Sequence, residues 1–176
     1  MKITHAKLEG VVVIEPKVFG DSRGFFMETF QEKRYREDAG ISLDFVQDNY
    51  SRSAKGVLRG MHFQKSQPQG KLVRCVRGEI FDVVVDINPD SPTFGEWVGE
   101  VLSEESHRQL YIPPGYAHGF QVLSEIADME YKCTDYYNPS DEGCLIWNDP
   151  DVGIEWPAEV GDLSAKDAKG VFLKDL

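Results

Sequence analysis

The sequence predicts an all-β protein, a double-sheet jelly roll, on three observations. Short segments of period-two or β-branched character recur along most of the chain. Each is closed by Gly, Pro, Asn or Asp, at intervals typical of a sandwich or barrel. A single segment carries helix chemistry. With 176 residues, 41% of them hydrophobic, the chain can bury one full core but is too short for two ordinary domains, so residues 1–176 are read as one domain.

Met1 to His5 runs into a strand-like segment with no signal-peptide core. Strands are predicted next over Val11 to Ile14 and Phe25 to Phe30. Gln31 to Ala39, rich in Glu, Lys and Arg and ending at Gly40, suits a short surface helix stopped by a C-terminal glycine. Phe45 to Tyr50 and the strand-like Leu58 to Gln64 follow, then Lys71 to Val76, Ile80 to Ile87 and Phe94 to Leu102. Gln109 to Ile112, His118 to Leu123 and Met129 to Thr134 complete the ladder, divided by turns at Asn88 to Pro92, Pro113 to Gly115 and Asn138 to Ser140. From Trp156 to Leu176 the periodicity weakens, and this stretch is expected to wrap the barrel. Roughly ten short antiparallel strands favour a jelly roll, whose open mouth is a common place for a small-molecule site.

Composition excludes several function classes. No apolar run approaches the roughly 20 residues that span a bilayer, so a soluble, cytoplasmic protein with no membrane partner is expected. Thirty acidic against nineteen basic residues give a formal charge of −11, which argues against binding a nucleic-acid backbone. It leaves room for a small anionic ligand in a cationic cleft, because exterior charge is screened over roughly 8 to 10 Å. Cys75, Cys133 and Cys144 form no CxxC or CxxH pair and read as free thiols.

The candidate chemistry centres on Leu58-Arg59-Gly60-Met61-His62-Phe63-Gln64, Gly70-Lys71-Leu72-Val73-Arg74 and Ala117-His118-Gly119-Phe120. These place two of four histidines beside cations. Imidazole accepts a proton near neutral pH, and Lys or Arg can hold the negative charge left behind, a pairing that points to carbanion chemistry on an anionic substrate. On an ideal strand His62 shares a face with Gly60 and Gln64 while Arg59 points away; a bulge at Gly60 would bring both inward. Alternation over Ile80 to Ile87 puts Phe81, Val83, Val85 and Ile87 between the sheets. Asp82 is then either a solvated outer carboxylate or a partner that holds Lys71 or an imidazole. Arg23 suits phosphate and Glu28 a base or sugar, although their segment is also an ordinary turn and strand. Gln47 and Asn49 share a face and either read a ligand's polar edges or decorate the surface. No HxH pair or nearby Glu supports a catalytic metal.

Taken in order, the motifs Asp21 to Glu28, Gln47-Asp48-Asn49, Leu58 to Gln64, Lys71 to Arg74, Asp82 to Asp86, Ser91 to Gly95, Ala117 to Phe120, Tyr131 to Thr134 and Leu163 to Asp167 resemble the dTDP-4-dehydrorhamnose 3,5-epimerase family from about Gly20 to Asp167. Met61 and Phe63 stand where that family often has Leu and Tyr. The resemblance implies a cupin-type double-sheet jelly roll with short peripheral helices, a homodimer, no cofactor and no metal. It implies a dTDP-sugar substrate with a C4 ketone, inverted at the two flanking carbons, C3 and C5. Position by position it implies His62 as general base, Asp167 as its carboxylate, Lys71 as enolate stabiliser and Tyr131 as the acid on the opposite face. His118 would assist at the sugar, while Arg23, Glu28, Gln47, Asn49, Arg59, Glu142 and Lys166 would surround the nucleotide and its diphosphate. Competing expectations are a single-carbon epimerase of the same family, a metal-dependent cupin enzyme and a non-catalytic nucleotide-sugar binding module.

Overall fold

Alternating apolar side chains between Gly- and Pro-bearing turns pair here into thirteen strands, in a computed structural model that describes residues 1–176. They are β1 (Lys2–His5), β2 (Val12–Glu15), β3 (Val18–Asp21), β4 (Gly24–Met27), β5 (Gln47–Ala54), β6 (Leu58–Gln64), β7 (Lys71–Arg77), β8 (Glu79–Asp86), β9 (Trp97–Ser103), β10 (Gln109–Ile112), β11 (Tyr116–Val122), β12 (Ile126–Cys133) and β13 (Glu142–Cys144). A six-stranded sheet has the order β1-β2-β10-β7-β12-β5, a five-stranded sheet the order β13-β6-β11-β8-β9, and β3-β4 form a separate hairpin. The pairings between these strands are antiparallel. This is the predicted double-sheet jelly roll. No helix is long and apolar enough to cross a membrane.

The single helix, α1 (Glu32–Ala39), ends where its sequence says it should. Gln31 caps it by accepting the Arg34 N–H at 2.6 Å, and Gly40 adopts the left-handed conformation at φ 71°. Buried Tyr35 and Ala39 pin α1 on the outer face of the six-stranded sheet, against Val12, Ile14, Leu72 and Tyr111. The Tyr35 hydroxyl donates to Gln109 at 2.8 Å.

The main core lies between the sheets and joins Val73, Cys75, Leu110, Ile112, Ala127 and Met129 to Ile80, Val84, Leu102, Phe120 and Val122. This corrects the expected orientation of β8. Ile80, Asp82 and Val84 face the interior, whereas Phe81, Val83, Val85 and Ile87 face outward and are covered by Leu145, Val152, Ile154, Trp156 and Leu173. Both faces of β8 are buried because the chain from Leu145 onward covers the five-stranded sheet, a wrap that begins before the expected Trp156 to Leu176 stretch, so alternation alone could not say which face was inside.

One irregularity positions the site. Across β6 and β11, His62 pairs with His118 but Arg59 pairs with Phe120, so β6 carries one residue more than its partner. The bulge falls at Gly60, which has φ 133°; a Cβ there would sit 2.5 Å from the Gly119 Cα. Two glycines facing each other permit this approach, and the bulge turns Arg59 and His62 to the same side.

Candidate active site

The inner faces of the two sheets diverge into a cavity of about 370 Å³ lined by Gln47, Asn49 and Ser51 of β5, Arg59 and His62 of β6, Lys71 of β7, His118 of β11 and Tyr131 of β12. Tyr137 and Glu142 close one edge. Strand register orders these groups. Tyr131 lies between Asn49 and Val73, and Cys133 between Gln47 and Lys71, on one sheet. His62 and His118 sit side by side on the other. The two imidazoles therefore face the Lys71 ammonium and the Tyr131 phenol from opposite sheets.

Each imidazole is held by a carboxylate. His62 Nε2 lies 2.5 Å from Asp167 Oδ1, and Asp167 is itself buried at the start of the 3-10 helix Asp167–Lys169. Burial pushes the Asp167 carboxyl upward, but the hydrogen bond and charge of His62, with help from Ser164 and Lys166, hold it below the usual carboxylate range. An ionised Asp167 accepting at Nε2 leaves Nδ1 as the basic nitrogen. His118 Nε2 meets both oxygens of Asp82 at 2.9 and 3.0 Å, and Asp82 is fully buried. Burial lowers the His118 pKa against the pull of Asp82, which favours a neutral imidazole. Of the two readings open for Asp82, the imidazole partner is the one observed.

The cavity also holds cations that no carboxylate pairs. Lys71 is 9% exposed and has no carboxylate within salt-bridge distance; burial lowers its pKa, against the more distant charges of Cys133, Asp82 and Glu142. The Arg59 Nε donates to Ser53 at 3.0 Å, with no acidic partner. Burial raises the Tyr131 pKa, keeping the phenol protonated through neutral pH. The only buried side-chain polar atom without a partner, Ser51 Oγ, belongs to a residue of this cavity. By contrast, the hollow on the outer face of the six-stranded sheet holds cations already neutralised, Arg74 by Glu130 at 2.6 Å and Lys132 by Asp48 at 2.9 Å. Unspent positive charge beside oriented bases distinguishes the inter-sheet cavity.

Of the residues expected in the site, His62, Lys71, Tyr131, His118, Gln47, Asn49, Arg59 and Glu142 line it. Asp167 stands behind His62, and Lys166 donates to Glu142 at 2.7 Å. Arg23 and Glu28 do not join this chain's own cavity. Arg23 projects from the β3-β4 hairpin with its side chain 87% exposed and paired to Asp21, and Glu28 accepts from Arg34 at 2.8 Å. The hairpin belongs to neither sheet, which carries both residues away. Sequence reasoning missed Tyr137, whose hydroxyl donates to Glu142 at 3.0 Å. It lies after the last long strand, where no periodicity marks a facing direction; the only signal was the Tyr136-Tyr137 pair before Asn138-Pro139.

The family described as dTDP-4-dehydrorhamnose 3,5-epimerase matches residues 5–175. The chain belongs to that family. It is 53% identical over 176 residues to the dTDP-4-dehydrorhamnose 3,5-epimerase of Pseudomonas aeruginosa, covering 99% of this chain and 97% of that one. A dTDP-6-deoxy-D-glucose-3,5-epimerase of Legionella pneumophila, solved in complex with dTDP-4-keto-L-rhamnose, superposes with a TM-score of 0.96 at 55% identity over 98% of this chain and 93% of that one. A 3'-monoepimerase of Streptomyces bikiniensis, in complex with dTDP-quinovose, reaches a TM-score of 0.90 at 34% identity over 96% and 86% of the two chains.

Proposed function

We infer that this chain epimerises dTDP-4-dehydro-6-deoxy-D-glucose at C3 and C5 to dTDP-4-dehydro-L-rhamnose, an isomerase step of dTDP-L-rhamnose biosynthesis. The observation that carries the reading is the placement of a carboxylate-held base, His62, and a protonated phenol, Tyr131, on opposite walls of one cavity with the Lys71 ammonium beside them. Inversion needs that arrangement. His62 Nδ1 takes the proton from a carbon next to the C4 ketone, and the C–H electron pair moves into the carbonyl to give an enolate. Lys71 stabilises the enolate oxygen. As the carbonyl re-forms, Tyr131 delivers a proton to the other face of the carbon. Proton exchange with water then restores both groups, and the same cycle serves the second carbon.

Arg59 and Lys166 supply positive charge for the diphosphate, while Gln47, Asn49 and Glu142 read the nucleotide and sugar. His118, held neutral by burial, donates or accepts at the sugar. The catalytic domain extends over residues 1–176, acts in the cytoplasm and functions as a homodimer. The β3-β4 hairpin supports the dimer: Phe19, Phe25 and Phe26 are exposed and paired with neither sheet. In that assembly Arg23 and Glu28 serve the nucleotide of a partner's site.

The direct test is conversion of dTDP-4-dehydro-6-deoxy-D-glucose followed by proton NMR of the product. His62→Ala should lower kcat by about 10²- to 10⁴-fold and leave dTDP affinity within about twofold of the parent. Full turnover by that variant would remove His62 from the role of base.

A further inference from the structure

Pairing of β13 with β6 sets Cys144 directly across from His62. Its Sγ lies 4.0 Å from Asp167 Oδ1, the same oxygen that meets His62 Nε2 at 2.5 Å. One imidazole nitrogen, one thiol sulfur and one carboxylate oxygen thus lie within 4.8 Å of one another. The proton transfers described above make no use of the thiol. Apart from Asp167, its sulfur meets only the carbonyls of Gly60 at 3.7 Å and Leu145 at 3.6 Å.

We propose that His62, Cys144 and Asp167 form an inhibitory site for a thiophilic divalent cation, with Zn²⁺ the fitting ion. Imidazole, thiolate and carboxylate are the donors that tetrahedral zinc takes, and its ligand atoms stand about 3.3 to 3.6 Å apart. Reaching that spacing requires Asp167 to separate from His62 by about 1 Å, and Cys144 to approach them by up to about 1.2 Å. Thiolate and carboxylate together balance the charge of the ion. Lys166, next to Asp167 in the chain, is already paired with Glu142 at 2.7 Å.

The inhibition follows from the tautomer. In the working state Nε2–H points at Asp167 and Nδ1 carries the lone pair. A metal on Nε2 needs the lone pair of that nitrogen, so the Nε2 hydrogen passes to water while Nδ1 takes one up, and with its hydrogen now on Nδ1 the ring can no longer accept a proton from the sugar. The thiol proton leaves to water. Access does not require passage through the sugar cavity, because Cys144 borders a separate groove of about 690 Å³ with Gly143, Lys65 and Lys169.

The first arm titrates Co²⁺ into the chelator-stripped full chain with no sugar present, so metal binding is read independently of the epimerase reading, on which only the turnover arm rests. One equivalent should produce a thiolate-to-cobalt charge-transfer band in the near ultraviolet, which Zn²⁺ then bleaches by displacement. Turnover should fall as Zn²⁺ is added and return with chelator. Cys144→Ser should keep basal turnover, lose the band and require about tenfold or more Zn²⁺ for the same inhibition. Absence of the band in the parent chain, or Cys144→Ser inhibited at the parent's Zn²⁺ concentration, would overturn the proposal.

Discussion

Lys71 is the residue at which function and stability pull apart. An ammonium with 9% exposure and no carboxylate partner is costly to bury. Lys71→Met should therefore abolish turnover yet raise Tm by roughly 2 to 8 °C, on the basis that about 1 kcal/mol moves Tm by 2 to 4 °C at this size. The pH dependence has a definite sign. Because the folded pKa is lowered, the unfolded chain binds more protons between that value and the ordinary lysine value of about 10.4, so this contribution to stability rises with pH across that window. Activity moves the other way: kcat/KM should fall on the alkaline side at a pH below the usual lysine range. Lys71→Arg should move that limb upward if it retains turnover. Tyr131 separates the two proton transfers. In Tyr131→Phe, loss of the substrate C–H proton to solvent should continue while inversion falls about 10²- to 10⁴-fold, read by NMR of the same sample. At this scale the sequence was legible where spacing sets direction. Gln47 and Asn49 share the cavity face as their two-residue separation requires. Asp82 was ambiguous because a carboxylate inside a barrel and one outside obey the same alternation, and only the partner His118 distinguishes them.

Elements with strong local signals were legible, and elements created by pairing were not. The helix is marked by its charged stretch and Gly40, and β10 by its flanking turn residues; both were placed from the sequence to within a residue. β3 is exposed at all four positions, so it offers no apolar alternation to find. β13 is three residues long and exists through its pairing with β6. The Gly60 bulge was foreseeable because Arg59 and His62 lie three apart and could share a side only if one residue were accommodated out of register. Gly60→Ala tests its importance. At φ 133° a Cβ meets the Gly119 backbone, so the substitution should destabilise by roughly 2 to 3 kcal/mol. Chemical denaturation reads that loss. The surviving folded fraction should show weaker dTDP binding and slower turnover together, since the bulge aims both Arg59 and His62.

For the whole molecule, a formal charge of −11 coexists with a cavity lined by Lys71 and Arg59, neither of them in an ion pair. An acidic exterior does not prevent anion binding when the cations are gathered on facing strands. The wrapping C-terminal stretch was expected, but its consequence for β8 was not: a second apolar layer makes outward residues look like core ones. The dimer is a whole-molecule prediction. Phe26, 70% exposed on the free hairpin, should be at the contact. Phe26→Asp should shift sedimentation toward the monomer and weaken dTDP binding by withdrawing Arg23 and Glu28, while a variant that remains dimeric with full affinity would place the contact elsewhere. The central claim is that one pair of opposed proton-transfer groups serves two carbons. Its most direct test is incubation of dTDP-4-dehydro-6-deoxy-D-glucose with the protein in D₂O, with deuterium read separately at C3 and C5. Deuterium at both positions, lost in His62→Ala, is the predicted result; deuterium at only one carbon, or at neither, would contradict it.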